Sequence, residues 1–208
     1  MTRIGLIDYG MGNLHSVQRA FERLGCGIAV VTDAAAMQDC QALVLPGVGA
    51  FDPAMDRLES TGLAAAIRQW GGADRPLLGI CLGLQLLFEG SDEGQRAGLG
   101  LLQGRVATLP RQIGHPIPHM GWEPLVPVTP SPLLPADAAE AWMYFVHSYA
   151  AVPSQEHCTT AAVRFGEHLI TAAVWQGQIG ACQFHPEKSS LSGEAMLRRW
   201  LHWVEQRP

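Results

Sequence analysis

The chain has 208 residues, 48% of them hydrophobic and 16% charged, with a net charge of −5. That length suits one α/β domain with a substantial core and is short for two, so residues 1–208 read as a single domain. The absence of any Lys/Arg cluster argues against a nucleic-acid binder. The apolar run near the start ends at Asp8, too soon for a signal peptide or membrane span, and no later run reaches spanning length.

Cysteines at 26, 40, 81, 158 and 182 show no CxxC spacing. An odd, scattered set fits reduced thiols in a cytoplasmic protein better than a disulfide framework or a zinc site.

In chain order, Arg3 to Asp8 predicts a first strand. It leads through Tyr9-Gly-Met-Gly-Asn13 into a helix from about Leu14 to Leu24. A Gly-rich turn there could suggest a dinucleotide site, but His15 stands where a third Gly is wanted, and a lone GxG is weak evidence. Gly27 to Val31 follows as a strand, Ala34 to Asp39 as a short helix, and Ala42 to Leu45 as a third strand ending in Pro46-Gly-Val-Gly49. Two glycines in that loop could turn N–H groups toward an anion, as an oxyanion hole requires, or simply make a tight turn. Helical stretches at Pro53 to Glu59 and Leu63 to Trp70 precede a short apolar strand, Leu77 to Ile80. Strands alternating with helices to about residue 89 predict an open, mostly parallel sheet with helices on both faces. Ligands of such sheets sit beyond the carboxyl ends of the strands.

Cys81 stands at such an end, between Gly79 and Gly83, with a helix expected from Leu82 to Glu89. Gly-x-Cys-x-Gly between strand and helix is the thiol form of a nucleophile elbow, with a helix start to favour the thiolate. A buried structural cysteine would read the same way.

The second half is strand-like at Gly100 to Leu109, Ala141 to Val152, Thr160 to Phe165 and Thr171 to Phe184, with a turn at Gln176-Gly177. These suggest antiparallel strands added to the sheet, or a small second sheet. The Pro-rich region from His115 to Pro135 reads as irregular surface connections; within it, Met120 and Trp122 suggest a lid or a partner surface. A last helix is expected from about Ser192, a candidate N-cap, to Trp203. His185-Pro-Glu187 on extended chain would turn imidazole and carboxylate to one side. Cys81, His185 and Glu187 would then supply nucleophile, general acid/base and orienting carboxylate. The remaining histidines read as surface or satisfied core residues.

Gly79-Ile-Cys-Leu-Gly-Leu-Gln85 together with His185-Pro-Glu187 resembles the class I glutamine amidotransferases. Pro46-Gly-Val-Gly49, Pro118-His-Met-Gly-Trp122, Tyr144-Phe-Val-His-Ser-Tyr149 and His185-Pro-Glu-Lys-Ser189 narrow the likeness to glutaminase subunits of imidazole glycerol phosphate synthase. The resemblance implies a flavodoxin-like amidotransferase fold and a glutaminase without cofactor or metal, feeding ammonia to a separate cyclase subunit in histidine biosynthesis. It implies oxyanion donors at Leu82 and at Val48 or Gly49, and substrate contacts at Gln85, Glu93, His147 and Ser148. A partner interface is implied at Asn13, Met120, Trp122, Tyr144 and Lys188. The rivals are another triad amidotransferase, a cysteine hydrolase without an ammonia acceptor, and a non-catalytic binding subunit of the same fold.

Overall fold

The structure, a computed structural model, describes residues 3–135 and 141–207. Its first half follows the alternation expected. β1 (Ile4–Ile7), β2 (Ile28–Val31), β3 (Ala42–Leu45) and β4 (Leu77–Ile80) are joined by α1 (Leu14–Arg23), α2 (Ala34–Gln38), α3 (Phe51–Ser60) and α4 (Leu63–Gly72). These strands are short and mostly buried, which is why they read as apolar runs. Successive residues face opposite sides of the sheet and feed two cores. Ile4 of β1 and Val44 of β3 pack with Phe21 of α1, whereas Ile7 and Leu45 pack with Met55 and Ile67 of α3 and α4.

The central sheet has eight strands in the order β2-β1-β3-β4-β12-β11-β10-β7. Here β7 is Val126–Pro127, β10 Thr159–Phe165, β11 His168–Gln176 and β12 Ile179–Cys182. The pairs from β2 through β12 are parallel, and those from β12 to β7 antiparallel. The strand-like stretch from Thr171 to Phe184 turns at Gln176-Gly177 as expected, forming a hairpin of β11 and β12 whose second arm inserts beside β4. β5 (Gly104–Thr108) pairs with β9 (Tyr149–Pro153), and β6 (His119–Pro124) pairs with β8 (Trp142–His147), as two separate antiparallel ribbons.

Several boundaries depart from expectation. The single strand expected over Ala141 to Val152 breaks at Ser148, so β8 and β9 serve different sheets. The segment from His119 is a strand rather than an irregular connection: its prolines, Pro118 and Pro124, stand before it and at its last position, leaving the pairing positions between them free. The helix after Cys81, α5 (Leu82–Leu86), stops short of Glu89. The N–H groups of Leu99 and of Leu101 and Leu102 take the carbonyls of Leu86 and Leu87, ending the helical ladder there. The closing helix α6 runs Ser190–Glu205 and packs Met196 and Trp200 into the core shared with α1. Ser192 lies inside it and is not its cap. Ser189 precedes the helix, and its hydroxyl donates to the His185 carbonyl and accepts from the Tyr144 N–H instead.

Candidate active site

Cys81 follows β4 directly and adopts φ +56°, ψ −111°, a conformation costly for a residue with a side chain. Its N–H donates to the Cys182 carbonyl, extending the β4–β12 pairing by one residue into the bend. The flanking glycines explain how the chain tolerates this. A Cβ on Gly83 would overlap the Leu45 carbonyl, and one on Gly79 would sit 2.9 Å from the Gly83 carbonyl oxygen. With only five residues in α5, fewer peptide dipoles align behind the sulfur than the sequence suggested.

The parallel register sets Ile80 opposite Cys182, so β4 and β12 end side by side. Cys81 and His185 therefore reach the same cavity, about 280 Å³ in volume. Pro186–Lys188 is a 3₁₀ turn, not extended chain as expected, because Pro186 suits the first position of such a turn. His185 itself is extended, and its Nδ1 lies 2.8 Å from Glu187 Oε1, with both side chains almost fully buried. A carboxylate acceptor fixes Nδ1 as the protonated nitrogen and leaves Nε2 to the cavity. Burial pulls the imidazole pKa down, but Cys81 and Glu187 outweigh it and hold it at about 10. Nε2 forms no hydrogen bond among the described residues and faces Cys81 across the cavity.

The loop Pro46–Gly49 forms one wall. Tyr9 donates its hydroxyl to the Pro46 carbonyl at 3.0 Å, and burial raises its pKa well above the phenol range. Gly47 is boxed in, since a Cβ there would come within 2.5 Å of the Tyr9 oxygen. The Gly47 carbonyl accepts the Leu82 N–H at 3.3 Å, so that donor is engaged. Val48 and Gly49 lie on the cavity wall and are solvent-exposed, with Gly49 at φ +105°.

Gln85, Glu93, His147 and Ser148 line the same cavity. Glu93 also accepts the Phe51 N–H at 2.9 Å, capping α3, whose own N-cap Ala50 offers no side chain for it. Its loop is tied down, because Asp52 accepts the N–H groups of Gln95 and Arg96 and Arg68 donates to the carbonyls of Gly98 and Leu99.

Two buried groups have partners that the sequence reading did not supply: His147, expected only as a substrate contact, and Gln183, which it did not single out. His147 donates Nδ1–H to the Tyr149 carbonyl at 2.8 Å, so its Nε2 accepts from His119 Nδ1 at 3.0 Å. Burial is the main cause that lowers the His147 pKa to about 4, aided by His119 and His185 and opposed by the Tyr149 bond. The inward alternation of Met143, Phe145 and His147 along β8 was the available signal. Gln183 is the second group, fully buried and 3.9 Å from the Cys81 sulfur. A lone amide in the apolar run from Ile179 to Phe184 marks it.

Of the expected interface residues, Met120 and Trp122 project from β6 with 60% and 45% exposure. The Trp122 ring meets Tyr144 edge-on at 5.9 Å, and the Lys188 ammonium lies 5.9 Å from that Tyr144 ring. Asn13 is the N-cap of α1, accepting the Ser16 N–H. The exposed face continues into the site, since the His185 N–H donates to the Tyr144 carbonyl.

The sequence matches the glutamine amidotransferase class-I family model over residues 5–203. It is 59% identical to the imidazole glycerol phosphate synthase subunit HisH of Synechococcus sp. (strain CC9605), over 97% of this chain and 94% of that one. It is 60% identical to HisH 2 of Prochlorococcus marinus (strain MIT 9313), over 99% and 96%. Among solved structures, a glutamine amidotransferase aligns with TM-score 0.75 at 20% identity, covering 97% and 98% of the two chains. Another glutamine amidotransferase, from Thermotoga maritima, aligns with TM-score 0.67 at 14% identity, covering 99% of each chain. Among the described residues, no helix is long and apolar enough to cross a membrane.

Proposed function

The chain belongs to the class-I glutamine amidotransferases, and from that premise we propose that Cys81, His185 and Glu187 hydrolyse glutamine for a cyclase subunit of imidazole glycerol phosphate synthase. The observation that carries this reading is the shared cavity. It holds a strained, glycine-flanked thiol and an imidazole whose far nitrogen is locked onto a buried carboxylate. The Cys81 sulfur attacks the side-chain amide carbon, and its proton rests on His185 Nε2. The tetrahedral oxyanion collapses as His185 returns that proton to the leaving nitrogen, releasing ammonia and a glutamyl thioester. His185 then takes a proton from water, which attacks the thioester and frees glutamate. Glu187 holds the tautomer and stabilises the imidazolium.

Glutamine sits against Gln85, Glu93 and the backbone around His147 and Ser148. Both amide hydrogens of Gln85 are committed, to the Tyr149 carbonyl and to Gln183. Its oxygen is what it offers, an acceptor suited to an α-ammonium group. The oxyanion takes the Leu82 N–H and one from Val48 or Gly49. Since the Gly47 carbonyl occupies the Leu82 donor, a rotation within Gly47–Gly49 is needed to free it, which keeps the chain quiet until its partner docks. Losing one such donor slows turnover by about 100- to 1000-fold. Proline at 49 is incompatible with φ +105°. Gly49→Pro is therefore expected to lower stimulated turnover, and an unchanged stimulated rate refutes the switch.

The ammonia passes to the cyclase, which forms imidazole glycerol phosphate and aminoimidazole carboxamide ribotide. The partner covers Met120, Trp122, Tyr144 and Lys188, with Asn13 at the margin. The family match over residues 5–203 supports reading the chain as one amidotransferase domain, and we propose that the assembly works in the cytoplasm. The test is glutamine hydrolysis by the chain alone, then with the cyclase and its nucleotide ligand. A rate rising by orders of magnitude only in the complex, and abolished by Cys81→Ser, is expected. A high rate unaffected by the partner refutes the coupled role.

A further inference from the structure

A continuous set of buried hydrogen bonds ends on the Cys81 sulfur. The Tyr149 carbonyl accepts Gln85 Nε2–H at 3.3 Å, and the same nitrogen donates to Gln183 Oε1 at 3.0 Å. Gln183 Nε2 in turn lies 3.9 Å from Cys81 Sγ, within reach of an N–H···S bond. The direction of this chain is forced. A backbone carbonyl only accepts, so the Gln85 nitrogen must face Tyr149. The second Gln85 N–H then requires the oxygen of Gln183, and the Gln183 nitrogen is left facing sulfur. His147 holds the Tyr149 carbonyl from the other side at 2.8 Å, and all three side chains are buried.

A primary amide with no exposed surface is costly in an apolar interior unless its donors are used. The backbone explains the position of Gln183, because its N–H completes the pairing with Ala172, but not the choice of an amide side chain over an apolar one. A hydrogen bond to a charged acceptor is about twice as strong as one to a neutral group. An N–H held against Sγ therefore favours the thiolate over the thiol.

We propose that Gln183 is a further member of the hydrolytic site: its side-chain N–H stabilises the Cys81 thiolate, and Gln85 and the Tyr149 carbonyl hold it in that orientation. This rests on Cys81 being the nucleophile. It gives Gln85 a second task, orienting the group that conditions the sulfur as well as meeting substrate.

The test is the pH profile of Cys81 carbamidomethylation by iodoacetamide, read by mass spectrometry of the Cys81 peptide in the full chain. Glutamine kinetics are measured in the complex with the cyclase. Gln183→Met keeps length and apolar bulk but removes the donor. It is expected to move the profile about one unit to higher pH and lower kcat by about 10- to 100-fold. The effect on kcat should exceed that on KM, since Gln85, which meets substrate, loses its Gln183 partner but keeps its bond to the Tyr149 carbonyl. Gln183→Glu keeps an acceptor for Gln85 but sets an acceptor against sulfur, so it should move the profile further. A folded variant of either kind with the original profile overturns the proposal. Should neither fold, the unsubstituted protein decides. A ¹⁵N-labelled Gln183 side-chain amide must titrate with the same midpoint as Cys81 alkylation and lose that titration in Cys81→Ser. An amide resonance indifferent to pH overturns the proposal. A Cys81→Ser chain that still hydrolyses glutamine removes the underlying nucleophile assignment. An inert one, beside unaltered Gln183 profiles, removes this inference alone.

Discussion

Replacing Gly83 by alanine tests whether the approach of α5 to β3 holds the thiol in place. The added carbon would overlap the Leu45 carbonyl oxygen and sit 2.9 Å from the carbonyl carbon, inside the 3.0 Å that Cβ atoms keep from their neighbours. The obstacle is backbone in a fully buried strand, so it cannot swing aside as a flexible side chain would. The first turn of α5 must instead retreat by roughly 1 Å from a core with no spare room. Overpacking of this kind costs about 1–3 kcal/mol, and a backbone obstacle belongs at the upper end. About 3 kcal/mol lowers the Tm of a chain this size by roughly 6–12 °C. Cys81 is the N-cap of α5, and a misplacement of about 1 Å costs on the order of 100-fold in turnover. Melting by circular dichroism and glutamine hydrolysis in the complex measure the two effects. A Gly83→Ala chain melting within about 2 °C of the original and retaining its turnover would refute the close-approach argument.

The raised pKa of His185 makes a second prediction. A group held at about 10 rather than 6.5 contributes stability that is complete below about pH 6.5 and is lost as pH rises through 10. Urea-unfolding free energies should fall across that window, and Glu187→Gln should flatten the fall by removing one of the two groups that hold the proton. His147 has the opposite sign. Its pKa of about 4 means the folded state resists protonation, so stability is present above pH 6.5 and drains away as pH falls toward 4. His147→Gln should reduce that acid slope, and an identical slope in the variant would contradict the buried neutral imidazole. Trp122→Ala should weaken cyclase binding by on the order of 30-fold, as truncating a central aromatic anchor does. Calorimetric titration reads this, and the melting temperature of the isolated chain should hardly change, since the ring is half exposed.

The parallel half was readable because each of its strands is a short apolar run with Gly or Pro punctuation, and that pattern is local. The elbow at Cys81 was readable for the same reason, since Gly79 and Gly83 stand beside it in sequence. What stayed hidden depends on distant partners. The run from Trp142 to Pro153 looks uniform, and only the separate claims of β6 and β5 on its halves break it at Ser148. The end of α5 is set by N–H groups from Leu99 to Leu102, which no helix propensity contains. Pairing His185 with Glu187 needed only their spacing, although the local geometry is a 3₁₀ turn. Gln183 and His147 acquire meaning only once Gln85, Tyr149 and His119 are beside them.

The placement of β12 between β4 and β11 has a consequence for how the enzyme matures. The strand completing the parallel region is the last strand among the described residues, and it brings the imidazole to a thiol laid down more than a hundred residues earlier. Contacts so distant in sequence form slowly, because the intervening loop must close before they reward it. A fragment ending before His185 can carry Cys81 but lacks the proposed base, His185, and the proposed carboxylate, Glu187. On the proposed mechanism a half-made chain therefore leaves glutamine intact, and competence arrives together with the keystone of the sheet.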